Sequence, residues 1–126
     1  MNAADAISIT GLEFYAYHGA SDQEQRVGHR YRVDARLTVD TRPAAASDRL
    51  SDTVNYAAIA ERIVQVGTGA QYRLLEALAG RLVAVIFAEF PSVQEITLRV
   101  QKVCPPMNAI VASVGVEITR SRREAK

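Results

Sequence analysis

The sequence is poor in the side chains that settle many functions outright. Its one cysteine, Cys104, has no partner for an internal disulfide and suits a reducing compartment. Two histidines, His18 and His29, with that single cysteine form no cluster at metal-ligand spacing, so no zinc centre is expected. Tryptophan is absent and aromatics make up only 6% of the chain, which leaves no run of stacking platforms for an RNA-binding module. A formal net charge of +1 gives no electrostatic case for nucleic acid or an anionic membrane. No apolar run approaches the roughly 20 residues of a membrane span. Met1–Ala6 carries Asp5 and no basic residue, unlike a signal peptide. A phosphate-cradling glycine loop, a dinucleotide fingerprint and a nucleophile elbow are all missing. These absences predict a cytoplasmic protein with no metal, nucleic-acid or membrane partner.

What is present reads as one domain over residues 1–126, with 1–5 and 121–126 as flexible tails. The arginines Arg120, Arg122 and Arg123 near the end are read as solvated. Ile7–Tyr17 alternates and predicts a first strand. His18–Gly28 is a polar loop. Tyr31, Val33, Ala35, Leu37 and Val39 then alternate with polar residues, a half-buried strand pairing antiparallel with the first. Pro43 stops it, and 44–53 reads as an irregular connection.

Asn55 can cap a helix over Tyr56–Val66, ended by Gly67 and Gly69. Leu75, Leu78, Leu82, Val85 and Ile86 predict a second helix over Arg73–Phe90, closed by Pro91. Strands over Val93–Lys102 and Ile110–Arg120 follow, separated by Pro105–Pro106. The order ββααββ predicts an α+β fold, a four-stranded antiparallel sheet with two helices layered on one face. Such a sheet has two edges. Val93–Lys102 or the first strand would need covering, and neighbouring subunits could provide it.

Four side chains could carry chemistry. In Ile96–Lys102 the even positions are apolar, so Lys102 lies on the core-facing side. It could snorkel outward from a strand end or be an ammonium held in a cleft. The only other lysine is Lys126. Glu76 lies near a helix start among leucines, where a carboxylate also suits the helix dipole. Glu24 by itself reads as a solvated loop charge. Tyr56, next to the Asn55 cap, by itself reads as packing under its helix. Cys104, between Val103 and Pro105, reads as a buried small hydrophobe rather than a nucleophile.

Taken together, these segments resemble the dihydroneopterin aldolase family from about Ile7 to Arg120. Tyr15–Gly19 followed by Glu24 and Gly28 resembles the family's first strand and active-site loop. Ser47–Asp48 and Asp52–Tyr56 resemble its serine-aspartate and aspartate-threonine-valine-x-tyrosine signatures. Leu74–Leu78 resembles its leucine-leucine-glutamate segment, and Lys102 with Pro105–Pro106 its lysine and proline pair. The resemblance implies a tunnelling fold (T-fold), in which sheets of several subunits join into a barrel. It implies a homo-oligomer of tetrameric rings stacked as an octamer, with sites between subunits and no metal or organic cofactor.

It further implies retro-aldol cleavage of 7,8-dihydroneopterin in folate biosynthesis, with epimerisation at C2′ as a side activity. In the implied roles Glu76 anchors the pterin, and Tyr56 from the neighbouring subunit exchanges a proton with the C2′ hydroxyl. Lys102 orders a water and assists proton transfer, and Glu24 positions substrate and network. Thr53, Val54 and Leu75 line the pterin pocket. The rivals are a dihydroneopterin triphosphate epimerase, a non-catalytic pterin-binding oligomer on the same fold, and a basic-tailed RNA-binding module.

Overall fold

The computed structural model describes residues 5–123. Strand β1 (Ala6–Ala16) leads through helix α1 (Asp22–Val27) into β2 (His29–Thr38). Helix α2 (Arg42–Ser47) and one 3-10 turn (Leu50–Asp52) follow, then the long helices α3 (Tyr56–Gly69) and α4 (Leu75–Glu89). β3 (Glu95–Val103) and β4 (Ser113–Ser121) complete the chain. The strands form one antiparallel sheet in the order β1-β2-β3-β4, and both long helices pack on one face. The expected α+β architecture and its ββααββ order of major elements are therefore present.

The period of two in the central strands sorts their side chains. Tyr31, Val33, Ala35 and Leu37 of β2 and Ile96, Leu98 and Val100 of β3 are buried under the helices. Ile59 and Ile63 of α3, with Leu78, Leu82 and Ile86 of α4, fill the opposite side of that core. Each fully buried Val, Leu or Ile among them stabilises the fold by about 1.5–3 kcal/mol. Register matters because a slip of one residue would turn this set outward.

Four local expectations are corrected. The His18–Gly28 loop contains α1, because Ser21 and Glu24 form a reciprocal capping box. The irregular connection over 44–53 contains α2 and the 3-10 turn. Gly67 does not end α3, which runs on to Gly69. Gly67 is there for close approach: a Cβ on it would meet the Phe14 ring at 2.4 Å. Lastly, Val93–Lys102 is not an edge. β3 is internal, and the sheet is bounded by β1 and β4.

Residues 1–4 and 124–126 of the expected tails lie outside the described residues. Cys104 is exposed rather than buried, and Arg122 is not a solvated tail charge. Its guanidinium donates to the carbonyls of Val93, Phe87 and Phe90 at 2.9–3.0 Å and lies 4.8 Å from the Phe87 ring centroid. It thereby satisfies the Phe87 carbonyl, left open in the last turn of α4, and adds a second donor to the Phe90 carbonyl, which also accepts from the Val93 N–H. No helix among the described residues is long and apolar enough to cross a membrane.

Candidate active site

The site grows from one end of the sheet, where Tyr31 of β2 pairs with Lys102 of β3. Both point to the helix side. Lys102 is 8% exposed and its ammonium lies 5.9 Å from the Tyr31 ring centroid. Glu24 reaches it from α1, with Oε2 accepting from Nζ at 2.7 Å. The capping box explains how a carboxylate on a one-and-a-half-turn helix is held so well. Ser21 Oγ accepts from the Glu24 N–H at 3.1 Å, and Glu24 Oε1 accepts from the Ser21 N–H at 3.3 Å. One carboxylate oxygen serves the cap and the other the ammonium. Lys102 draws the Glu24 carboxyl below its ordinary pKa, against a smaller upward push from burial.

The floor beneath this pair is rigid. Tyr31 is fully buried and its hydroxyl donates to the His18 carbonyl at 2.7 Å. Burial first, and the Glu24 charge second, push its pKa up to about 12. His18 is buried as well. Its Nδ1 accepts from the Tyr72 N–H at 3.0 Å, so Nε2 carries the proton and donates to the Gly67 carbonyl at 2.7 Å. Burial lowers the pKa of His18 and keeps the ring neutral. One imidazole thus bolts the end of β1 to the C-terminal turn of α3 and to the approach to α4.

The loop carrying α1 is tied to that approach too. Gly19 N–H donates to the Tyr72 carbonyl, Arg73 to the Ala20 carbonyl, and Gln71 to the Gln25 carbonyl. Leu75 and Glu76 open α4 immediately after these tethers, and Glu76 stands exposed in its first turn. Leu74, at the N-cap position, supplies no side-chain cap, so the amides of that turn keep donors for something else.

Thr53, Val54 and Tyr56 are at the other end of the molecule. They flank Asn55, whose Oδ1 caps α3 by accepting from the Ala57 and Ala58 N–H groups at 3.1 and 3.2 Å. Thr53 and Val54 line a cavity of about 390 Å³ with Val39, Asp40, Ser92 and Gln94. Gln94 hydrogen-bonds Thr38, at the far end of the β2–β3 ladder from Lys102. Eight residues of strand rise put these groups roughly 25 Å from Lys102. α3 agrees: Tyr56 begins it, whereas Gly67, bound to His18, lies eleven residues along, roughly 17 Å away. Tyr56 is 64% exposed and does not pack under its helix.

The structure therefore gathers Glu24, Lys102, Leu75 and Glu76 at one end and Thr53, Val54 and Tyr56 at the other. Among the described residues no group of three or more His, Cys, Asp or Glu side chains is arranged to hold a metal ion. Two contributors have no role in the sequence expectations. Ser21 was visible as the first residue of a serine-x-x-glutamate box. His18 lies in the Tyr15–Gly19 motif, but its structural role gave no local signal, since its three partners come from distant segments.

Comparisons with known proteins fit this layout. A profile of the dihydroneopterin aldolase family matches residues 7–119. The dihydroneopterin aldolase of Streptococcus pyogenes is 38% identical over 118 residues, 94% of this chain and 99% of the relative. That of Bacillus subtilis is 35% identical over the same length, covering 94% and 98%. The crystal structure of Escherichia coli dihydroneopterin aldolase in complex with neopterin superposes with a TM-score of 0.86 at 31% identity, covering 93% of this chain and 99% of that one. On this footing the chain, with its T-fold domain, belongs to the dihydroneopterin aldolase family.

Proposed function

We propose that the chain is a cytoplasmic dihydroneopterin aldolase of folate biosynthesis, and that its active site is completed by a second subunit. The observation that carries this reading is the pairing of buried Lys102 with half-buried Glu24, 2.7 Å apart, at the end of the sheet opposite Tyr56. An ammonium and a carboxylate held together can pass a proton and orient water, while an exposed tyrosine on the far side of the same chain cannot reach them. Two copies joined edge to edge would bring one copy's Tyr56 to the other's Lys102. β1 and β4 are the free edges, and Ile7, Ile9, Leu12, Val116 and Ile118 on them are only half covered by their own chain. Tetrameric rings stacked as an octamer are the expected assembly.

The substrate carries its own electron sink, which is why the chain needs neither a Schiff base nor a metal. Tyr56 exchanges a proton with the C2′ hydroxyl, taking the hydroxyl proton as its own phenolic proton passes to the water held by Lys102 and Glu24. The C2′–O bond becomes a carbonyl, the C1′–C2′ bond breaks, and its electron pair moves into the ring imine to give an enamine. The two-carbon fragment leaves as glycolaldehyde. Protonation of the enamine carbon, through a water ordered by Lys102 and Glu24, gives 6-hydroxymethyl-7,8-dihydropterin. Glu76 anchors the pterin, because two carboxylate oxygens match the ring N–H and exocyclic amino group of its pyrimidine edge. Leu75, Val54 and Thr53 line the ring pocket. If the aldehyde re-adds before escaping, the C2′ epimer dihydromonapterin forms as a side product.

The test is incubation with 7,8-dihydroneopterin without added metal and chromatography of the products. Equimolar 6-hydroxymethyl-7,8-dihydropterin and glycolaldehyde are expected. Dihydromonapterin alone would replace the aldolase with an epimerase, and unchanged substrate would reject the reading.

A further inference from the structure

One polar group beside the site remains without a partner. Nδ1 of His29 is buried and makes no hydrogen bond, a condition that native structures rarely leave unexplained. His29 begins β2 opposite Ala16 of β1, on the same face as Tyr31. It lines a cavity of about 260 Å³ with Ser21, Gln23, Glu24, Val27 and Pro106. Glu24 is shared between this cavity and the Lys102 ion pair, so the space opens directly beside the groups assigned to proton transfer. We propose that this cavity receives the three-carbon tail of the substrate, and that His29 selects an uncharged, hydroxylated tail by hydrogen-bonding one of its distal hydroxyls through Nδ1. The inference rests on the active-site reading above and adds to it a determinant of tail specificity.

The selection follows from what each tail can offer. Two charged groups face the ring, Lys102 from β3 and Glu24 from α1. Burial and then Lys102 lower the His29 pKa, with Glu24 opposing, so the ring is neutral at pH 7. A neutral imidazole presents Nδ1 as donor or as acceptor, according to tautomer. A hydroxyl both donates and accepts, so it satisfies Nδ1 in either form. An ionised phosphate only accepts, so it satisfies one tautomer at best, and it would have to sit against the Glu24 carboxylate. No arginine lines the cavity, and the charge of Lys102 is already matched by Glu24. Val27 and Pro106 add apolar wall, which suits the carbon skeleton of a polyol and gives an anion nothing.

The test uses unreactive oxidised pterins, so it reads binding without turnover. Fluorescence quenching would compare neopterin, neopterin triphosphate and 6-hydroxymethylpterin, which lacks the distal hydroxyls. The wild-type protein should bind neopterin more tightly than its triphosphate. His29→Leu should weaken neopterin about tenfold, the loss of one neutral hydrogen bond, and leave 6-hydroxymethylpterin unchanged. His29→Gln, which also donates and accepts, should restore most of the loss. Tighter binding of the triphosphate, an unchanged neopterin affinity in His29→Leu, or equal weakening of both tailed and tailless ligands would overturn the proposal. The wild-type ligand comparison stands even if the leucine variant does not fold. A wild-type protein that binds none of the three would instead sink the active-site reading, and this inference with it.

Discussion

The two ends of the sheet differ in how far a single chain organises them. At the Lys102 end the ion pair and its support are fastened: Glu24 by its capping box, Tyr31 by His18, and the α1 loop by three hydrogen bonds to the approach to α4. At the Tyr56 end only the backbone is prepared, by the Asn55 cap, while the phenol stands 64% exposed. Ordering a side chain costs conformational entropy. On the proposed reading, the groups assigned to proton transfer are ordered during folding, whereas the phenol would be ordered when a partner surface meets it. A preorganised half and an unfinished half are what the proposed site, shared between copies, would require.

The most forceful way to break this comparison is to remove the fastened cation. Lys102→Ala should lower kcat by about 100-fold or more, the scale of lost general acid–base catalysis, with pterin affinity largely retained. Steady-state kinetics with equilibrium binding of neopterin would check it. Tyr56→Phe should cost kcat on a similar scale although the residue lies at the opposite end of its own chain. Unfolding the two variants together and refolding them should restore turnover, because a mixed interface pairs an intact Tyr56 with an intact Lys102. No recovery in refolded mixtures would place both residues in one subunit's site.

Glu76→Ala should act on binding rather than on chemistry. Losing two charge-assisted hydrogen bonds should raise the dissociation constant for neopterin more than tenfold, with a smaller change in kcat. Isothermal titration measures the first and saturating kinetics the second.

The smallest effect is on stability and sharpens the fastened half. The folded-state pKa of His18 is lowered by burial from 6.5. Below about that pH the unfolded chain binds a proton that the folded chain refuses, so stability is full above pH 6.5 and falls as the pH drops. Glu24, lowered from 4.5, adds a loss of the same sign further down. Urea denaturation at pH 7, 6 and 5 should show the decline, and His18→Asn should flatten its upper part.

The strands and long helices were legible because their signal is local. Tyr31 to Val39 alternates, and Leu75, Leu78, Leu82 and Ile86 repeat at helical spacing, whatever the rest of the chain does. Lys102 was visible for a related reason, as a charge on an apolar face. α1 was overlooked because six residues carry no periodicity, and only the Ser21–Glu24 spacing announces it. Arg122 was misread because its partners, Phe87, Phe90 and Val93, belong to another element. The family resemblance supplied the roles of Glu76 and Tyr56, for which composition and spacing offered ordinary readings. Which strand lay at the edge could not be read from alternation, since pairing order depends on how the connections cross the sheet.

Arg122 has a consequence for anyone trimming or fusing this chain. A boundary drawn after β4 by strand pattern alone would look harmless, yet it would strip the Phe87, Phe90 and Val93 carbonyls, between the end of α4 and β3, of their shared donor. Hydrogen bonds to a charged donor are worth about 1.5–3 kcal/mol each, a large share of a small domain's total stability of roughly 5–15 kcal/mol. A shortened version ending at residue 121 would thus express poorly or melt early with its strands and its chemistry nominally intact. A tag joined beyond residue 123 leaves the clamp in place.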